Sequence, residues 1–427
     1  MFRILANAVK VKDIRNKLIY IAAVLLIFRI GTHIPLPGVN LQTLNTIRHG
    51  TQDNLTLFAM IAGGGYGSIF AMGIAPYITS SIVMQLLTVA IPKLEQIQKE
   101  GEEGRKKIRQ WTRIVAVGLS LLQASATVYS YMHTQAGSIF NVQSFPASLL
   151  VAVVAVIAMV AGTILIMWMG ELLTEKGIGN GSSFIIFANI LANLPSGVQS
   201  LWMMITGGSA VSGTIKVIII LVVFACIIGF VVLVQSGERR IPVQYSKKLV
   251  GKQMYGGQIS LIPIKVNVAG VMSIIFAISL LQFPAQLHSF FPNNGALNGI
   301  ANFLKTQSVS GALIYMILIF VFTFFYTSFA INTTEMAENM KKNGGFIPGI
   351  RPGRPTSDFV KKTVNRLSFF GAFFYCIIAL IPILLQQGAG TGSFGGTTLL
   401  IVTGVCLDFI KQLESQLLMR HYKGFLG

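Results

Sequence analysis

The chain has 427 residues, 53% of them hydrophobic and 11% charged, with a mean hydropathy of +0.68. Soluble domains carry about a quarter charged residues, so a soluble globular protein is excluded and a polytopic membrane protein is indicated. The net charge of +19 marks cytoplasm-facing loops, an anionic partner, or both.

Residues 1–17 form a basic, amphipathic N-terminal segment, and no cleavable signal pattern follows the first apolar run. Hydropathy predicts ten membrane spans, at about 18–36, 55–91, 112–131, 148–169, 183–205, 215–235, 267–291, 311–331, 367–386 and 397–418. A short tail, 419–427, follows. The second span is divided. Its first apolar run, Leu55 to Ala62, is too short to cross ~30 Å of hydrocarbon. Gly63, Gly64, Gly65 and Gly67 break it before a second run, Ile69 to Ile91, that is long enough to span. Irregular backbone at membrane depth survives only inside protein or beside water. The segment reads as the lining and closure of a pore, or as a re-entrant loop with no gating role.

Ten spans put both termini on one side. Lys and Arg crowd the N-terminal segment (Arg3, Lys10, Lys12, Arg15, Lys17) and the loops after the second, sixth and eighth spans, while the opposite loops hold only Arg48, Lys216 and Lys305. Both termini are therefore expected in the cytoplasm. Arg29, late in the first span, is expected to snorkel to the outer surface. Five spans per half would make the halves, 18–205 and 206–418, inverted copies. The direct support is Ser68-Ile69-Phe70-Ala71 against Ser273-Ile274-Ile275-Phe276-Ala277, a match short enough for chance to produce.

Two basic loops are long, about 236–266 and 332–366. The second carries Gly349-Ile350-Arg351-Pro352-Gly353-Arg354-Pro355, where proline and glycine fix turns and hold the arginines on a constrained loop. Such rigidity suits partner binding, because it lowers the ordering cost. Catalytic chemistry is hard to assemble. The five histidines are scattered, and Asp408 is the one aspartate in a span. Cys226, Cys376 and Cys406 lie in apolar runs without metal-ligand spacing. Gly177-Ile178-Gly179-Asn180-Gly181 follows a membrane helix rather than a strand, so it reads as a turn and not a dinucleotide site. No enzyme, cofactor or metal is expected. A small-molecule carrier built on inverted repeats is the rival reading, but the spans offer no midplane ionisable cluster and a carrier leaves the basic loops unexplained. Ile74 and Ile78, and Ile186 and Ile190, each share a helix face, which alone is ordinary core or lipid-facing usage.

Several stretches resemble the SecY family of protein-conducting channels. They are Phe28-Arg29-Ile30-Gly31, Pro76-Tyr77-Ile78, Lys99-Glu100-Gly101-Glu102, Gly104-Arg105-Lys106-Lys107, Gly177-Ile178-Gly179-Asn180-Gly181 and Arg239-Arg240-Ile241-Pro242-Val243. Further on come Lys265-Val266-Asn267-Val268-Ala269-Gly270, Pro348-Gly349-Ile350-Arg351-Pro352-Gly353 and Gly395-Gly396-Thr397-Thr398-Leu399-Leu400-Ile401. Ser273 departs from the family, standing where a proline is common. The resemblance implies an all-α polytopic protein of ten helices, in two pseudo-symmetric inverted halves around an hourglass pore, in the bacterial inner membrane. It places a pore ring at Ile74, Ile78, Ile186, Ile190, Ile275 and Ile401. It implies a plug over about 55–65 with Leu55, Leu57, Phe58, Met60 and Ile61, and a lateral gate in which Thr79, Ser80, Ser81 and Gln123 bond across the closed seam. Docking of the motor ATPase SecA and of the ribosome would use Arg239, Arg240, Lys247, Lys248, Arg351 and Arg354. SecE and SecG subunits, signal peptides, preprotein clients and the phospholipid bilayer are the other implied partners.

Overall fold

The computed structural model describes residues 9–39, 67–132, 147–206, 210–245, 248–250, 253–255, 259–266, 268, 270–290, 295–305, 308–389 and 396–423. Each of the ten predicted spans contains a helix. In chain order these are α1 (Lys12–Gly31), α2 (Ala75–Ala90), then after the short α3 (Pro92–Lys99), α4 (Glu102–Met132), α5 (Ala147–Lys176), α6 (Gly181–Thr206) and α7 (Ala210–Ser236). Strands β1 (Glu238–Tyr245), β2 (Lys248–Val250), β3 (Gln253–Tyr255) and β4 (Ile259–Lys265) follow. Then come α8 (Met272–Phe290), the short α9 (Gly295–Phe303), α10 (Val309–Ala330), α11 (Thr333–Lys342), β5 (Gly345–Phe346), α12 (Arg354–Ala389) and α13 (Gly396–Lys423). Among the described residues, five helical stretches are long and apolar enough to cross a bilayer by length and composition, or six if α2 and α3, bent by 102°, count as one. Helix α1 misses that measure because Lys12, Asp13, Arg15, Lys17 and Arg29 interrupt it.

The second run of the divided span is helical only from Ala75, not from Ile69. Gly67 and Gly73 hold positive φ angles of 65° and 55°, so the chain between them runs as turns. That irregular stretch is not left unbonded. Ser68 pairs antiparallel with Pro35, the Gly67 carbonyl accepts from the Leu36 amide at 2.8 Å, and the Ile34 carbonyl accepts from the Ile69 amide at 3.1 Å. Backbone groups that a helix would have satisfied are thus satisfied by the chain leaving α1. Pro92 ends α2 and opens α3, since the residue before a proline is pushed out of the helical region. Residues 40–66, with the half-helix, lie outside the described residues.

The chain forms two compact units: Met1–Met203 with Ser279–Ser308 and Val405–Gly427, and Met204–Ile278 with Val309–Gly404. In the first unit, Leu36, Val39, Ala124, Val128, Ala155 and Met159 make one core, joining the turn after α1 to α4 and α5. The turn 177–180 connects α5 to α6. Asn180 Oδ1 accepts from the Ser182 amide at 3.0 Å, and the Thr174 hydroxyl accepts from the Gly181 amide at 2.9 Å. Gly181 sits against the Gly170 carbonyl, where any Cβ would collide with backbone. Replacing Gly181 by Ala is therefore expected to cost about 1–3 kcal/mol by overpacking. Gly118→Ala, in open space on α4, is the contrast and gains up to ~1 kcal/mol of helix propensity. Thermal unfolding of the two variants in detergent reads the difference; equal midpoints would mean that α6 is not held so close.

In the second unit the spans pack through aromatic edges. Phe276 meets Phe322 edge-on at 5.8 Å, and Phe230 meets Phe374 at 5.0 Å. The two basic loops are not simple connections, and here the all-helical expectation needs an addition. Strand β1 pairs antiparallel with β4 and, at Gln244 and Tyr245, with β5. Ile241, Val243 and Ile264 alternate inward. Among the described residues, Pro242 stands where β1 has β4 as its one neighbour, as suits a strand proline. These strands share a core with Met340 of α11, Ile347, and Val360 and Val364 of α12. Both loops thus fold into one module around a common apolar centre.

Candidate functional site

The six ring candidates are placed as follows. Ile74 is the N-cap residue of α2 and is 1% exposed, its Cδ1 lying beside Gly170. Ile78 stands one turn further on and is half-buried, its amide bonded to the Ile74 carbonyl at 3.1 Å. Ile186 and Ile190 are buried one turn apart on α6. Ile275, on α8, and Ile401, on α13, are buried as well, and both belong to the second unit. The plug candidates Leu55, Leu57, Phe58, Met60 and Ile61 lie outside the described residues.

The gate candidates spend part of their hydrogen-bonding capacity at home. Thr79 Oγ1 donates to the Ala75 carbonyl (3.1 Å) and Ser80 Oγ to the Tyr77 carbonyl (2.9 Å). Gln85 Nε2 donates to Ser81 Oγ at 3.4 Å. All of these bonds close within α2. Gln123 is half-buried on α4, the helix that packs along α2. Arg29 lies in the last turn of α1, half-buried, with its Nη1 donating to Thr32 Oγ1 at 3.4 Å.

Four of the docking candidates, Arg239, Arg240, Arg351 and Arg354, belong to segments of the loop module. Arg239 and Arg240 are exposed on β1, just before the core residue Ile241; Arg240 pairs with Glu238 at 2.8 Å. Arg351 and Arg354 are exposed at the other loop. Gly349 and Gly353 hold φ angles of 84° and 102°, a region that L side chains rarely adopt. Between them Ile350 packs on the module core, and the Arg351 carbonyl accepts from the buried Thr356 hydroxyl at 2.9 Å. Arg351 is thus displayed from a fixed backbone. Lys248 lies on β2, and Lys247 falls outside the described residues.

One feature escaped the sequence reading. Arg113 on α4 grips Glu171 on α5 with two bonds, of 2.7 and 2.6 Å. A fork of this kind fixes orientation as well as charge. The partners are 58 residues apart, and no spacing rule signals such a pair. Among the described residues no cluster of three His, Cys, Asp or Glu side chains is placed to hold a metal ion.

Comparison with known proteins gives concordant results. The family model SecY matches residues 68–410. Protein translocase subunit SecY of Streptomyces coelicolor is 42% identical over 442 residues, covering 100% of both chains. That of Thermus thermophilus is 41% identical, covering 100% of this chain and 98% of the other. Among solved structures, "The structure of a protein conducting channel" superposes with a TM-score of 0.67 at 19% identity, over 93% of this chain and 91% of that one. "Sec61 in the Canine ribosome-channel complex from the endoplasmic reticulum" gives 0.63 at 18%, with the same shares covered. At such identities these structures speak for the fold.

Proposed function

The chain belongs to the SecY family, and from that premise we infer how its parts divide the work. It is a protein-conducting membrane channel that passes unfolded preproteins, and it is not itself an enzyme. The reading is carried by one observation: the kinship with translocase subunits runs the full length of the chain. The six isoleucines act as a gasket. Stiff, apolar, uncharged side chains close around an extended polypeptide without binding it and exclude water when it is absent. Halves 18–205 and 206–418 open as a clamshell, and apolar segments leave sideways past Thr79, Ser80, Ser81 and Gln123 because hydrocarbon suits them better than water. The plug at about 55–65 closes the outer funnel.

The loop module faces the cytoplasm of a bacterial cell, on the same side as both termini. That orientation is supported by the charge asymmetry of the loops. Its arginines receive either acidic surfaces of the SecA motor or ribosomal RNA phosphates, both of which suit guanidinium groups. SecE and SecG complete the assembly. Photocrosslinking from Ile78 or Ile275 to a preprotein arrested in transit tests the path. Adducts are expected from both positions in the loaded channel and from neither in the idle one. Adducts absent in the loaded state would remove the isoleucines from the route.

A further inference from the structure

Helix α12 carries a surface that the translocation path does not use. Asp358, Lys361, Lys362, Asn365, Arg366 and Phe369 recur at helical spacing and share one face. With Phe324 of α10 they line an open cavity of about 470 Å³. Three cations stand against one carboxylate there. Lys361, Lys362 and Arg366 are exposed, and among the described residues none of them has an ion-pair partner, Asp358 included. The floor is aromatic and fixed: Phe320 packs edge-on against Phe369 at 5.4 Å and lies 5.3 Å from Phe324. Directly below the cations the same helix exposes Phe369, Phe370, Phe373 and Ile377. From Phe369 to Ile377 the helix rises ~12 Å, close to the ~15 Å of one leaflet.

We propose that this face holds an anionic phospholipid, its phosphate on Lys361, Lys362 and Arg366 and its acyl chains along Phe369, Phe373 and Ile377. The argument rests on the order of the groups. A surplus of unpaired cations at one end of an exposed apolar strip matches a molecule whose charge and hydrocarbon are covalently joined in that order. A soluble acidic segment would use the cations and leave the strip idle. A solvated basic face would not be floored by packed phenylalanines. The proposal needs only that the chain sits in a bilayer, so its failure would leave the channel reading untouched.

The test uses the full-length protein in nanodiscs, with phosphatidylglycerol or phosphatidylcholine bearing a photoreactive acyl chain. Label from phosphatidylglycerol is expected on the peptide spanning 369–377, with phosphatidylcholine giving at least tenfold less. Each cation removed should weaken occupancy about fivefold, so K361Q/K362Q/R366Q should lose the label nearly completely. The control R105Q/K106Q/K107Q, on α4, should keep it. Labelling of the unaltered protein by both lipids alike would overturn the proposal, and needs no variant to fold. So would label that survives the triple substitution or falls equally in the control. Displacement of the lipid by a co-purifying protein subunit on this face would also overturn it, assigning the surface to a protein contact.

Discussion

Arg351→Glu is expected to lower SecA-driven export by more than an order of magnitude while leaving the amount and thermal stability of the channel unchanged. The backbone around Arg351 is held by Gly349 and Gly353 in left-handed geometry, by Ile350 in the module core and by the Thr356 hydroxyl. The side chain itself is exposed, so the substitution breaks no packing. Its whole effect falls on the partner. Losing one member of a desolvated charge pair at an interface costs about 2–5 kcal/mol, and reversal adds repulsion. Arg351→Lys should recover only part of the loss, since lysine keeps the charge but not the planar fork. ATP-driven translocation into inverted vesicles, with motor affinity measured beside it, reads the outcome. Export at the parental rate would detach Arg351 from docking.

How much of this was legible beforehand depends on the range of the signal. Each span is a local property, an apolar run bounded by charge or by Gly and Pro, and each of the ten expected spans contains a helix. The start of α2 was misplaced because Ile69-Phe70-Ala71-Met72 is apolar enough to be helical, yet it is held as turns by pairing with residues 34–36. That pairing is tertiary, and hydropathy does not register it. The strands of the basic loop did leave a trace: Ile241, Val243 and Tyr245 alternate with polar residues or proline. Surrounded by arginine and lysine, they read as a charged loop. That Ile241 and Ile350 share a core across about a hundred residues of chain follows only from the fold. The Arg113–Glu171 pair was missed for the same reason. Ser80, expected at a lateral gate, shows a further limit, since sequence identifies a hydroxyl but not that its bond closes within its own helix.

Removing the isoleucine ring should raise ion leak through the idle channel at least tenfold. The seal of a dewetted constriction depends on apolar side chains filling it, and a hydroxyl in their place admits water and with it ions. The positions differ in what else they hold. Ile74 is buried, with its Cδ1 beside Gly170, so Ile74→Ser also leaves a cavity and costs about 2–4 kcal/mol of stability. Leak from that variant alone would be open to two explanations. Ile78 separates them, because it is half-buried and anchored through its backbone. Ile78→Ser should therefore leak with little loss of thermal stability, and Ile78→Val, which keeps the β-branch and apolar surface, should stay tight. Extending serine to Ile186, Ile190, Ile275 and Ile401 should increase conductance stepwise, since each side chain withdrawn widens the wet cross-section. Planar-bilayer recordings of the purified assembly decide it. If leak tracks the fall in unfolding temperature across the series, instead of the number of isoleucines removed, the residues hold the fold together and the seal lies elsewhere.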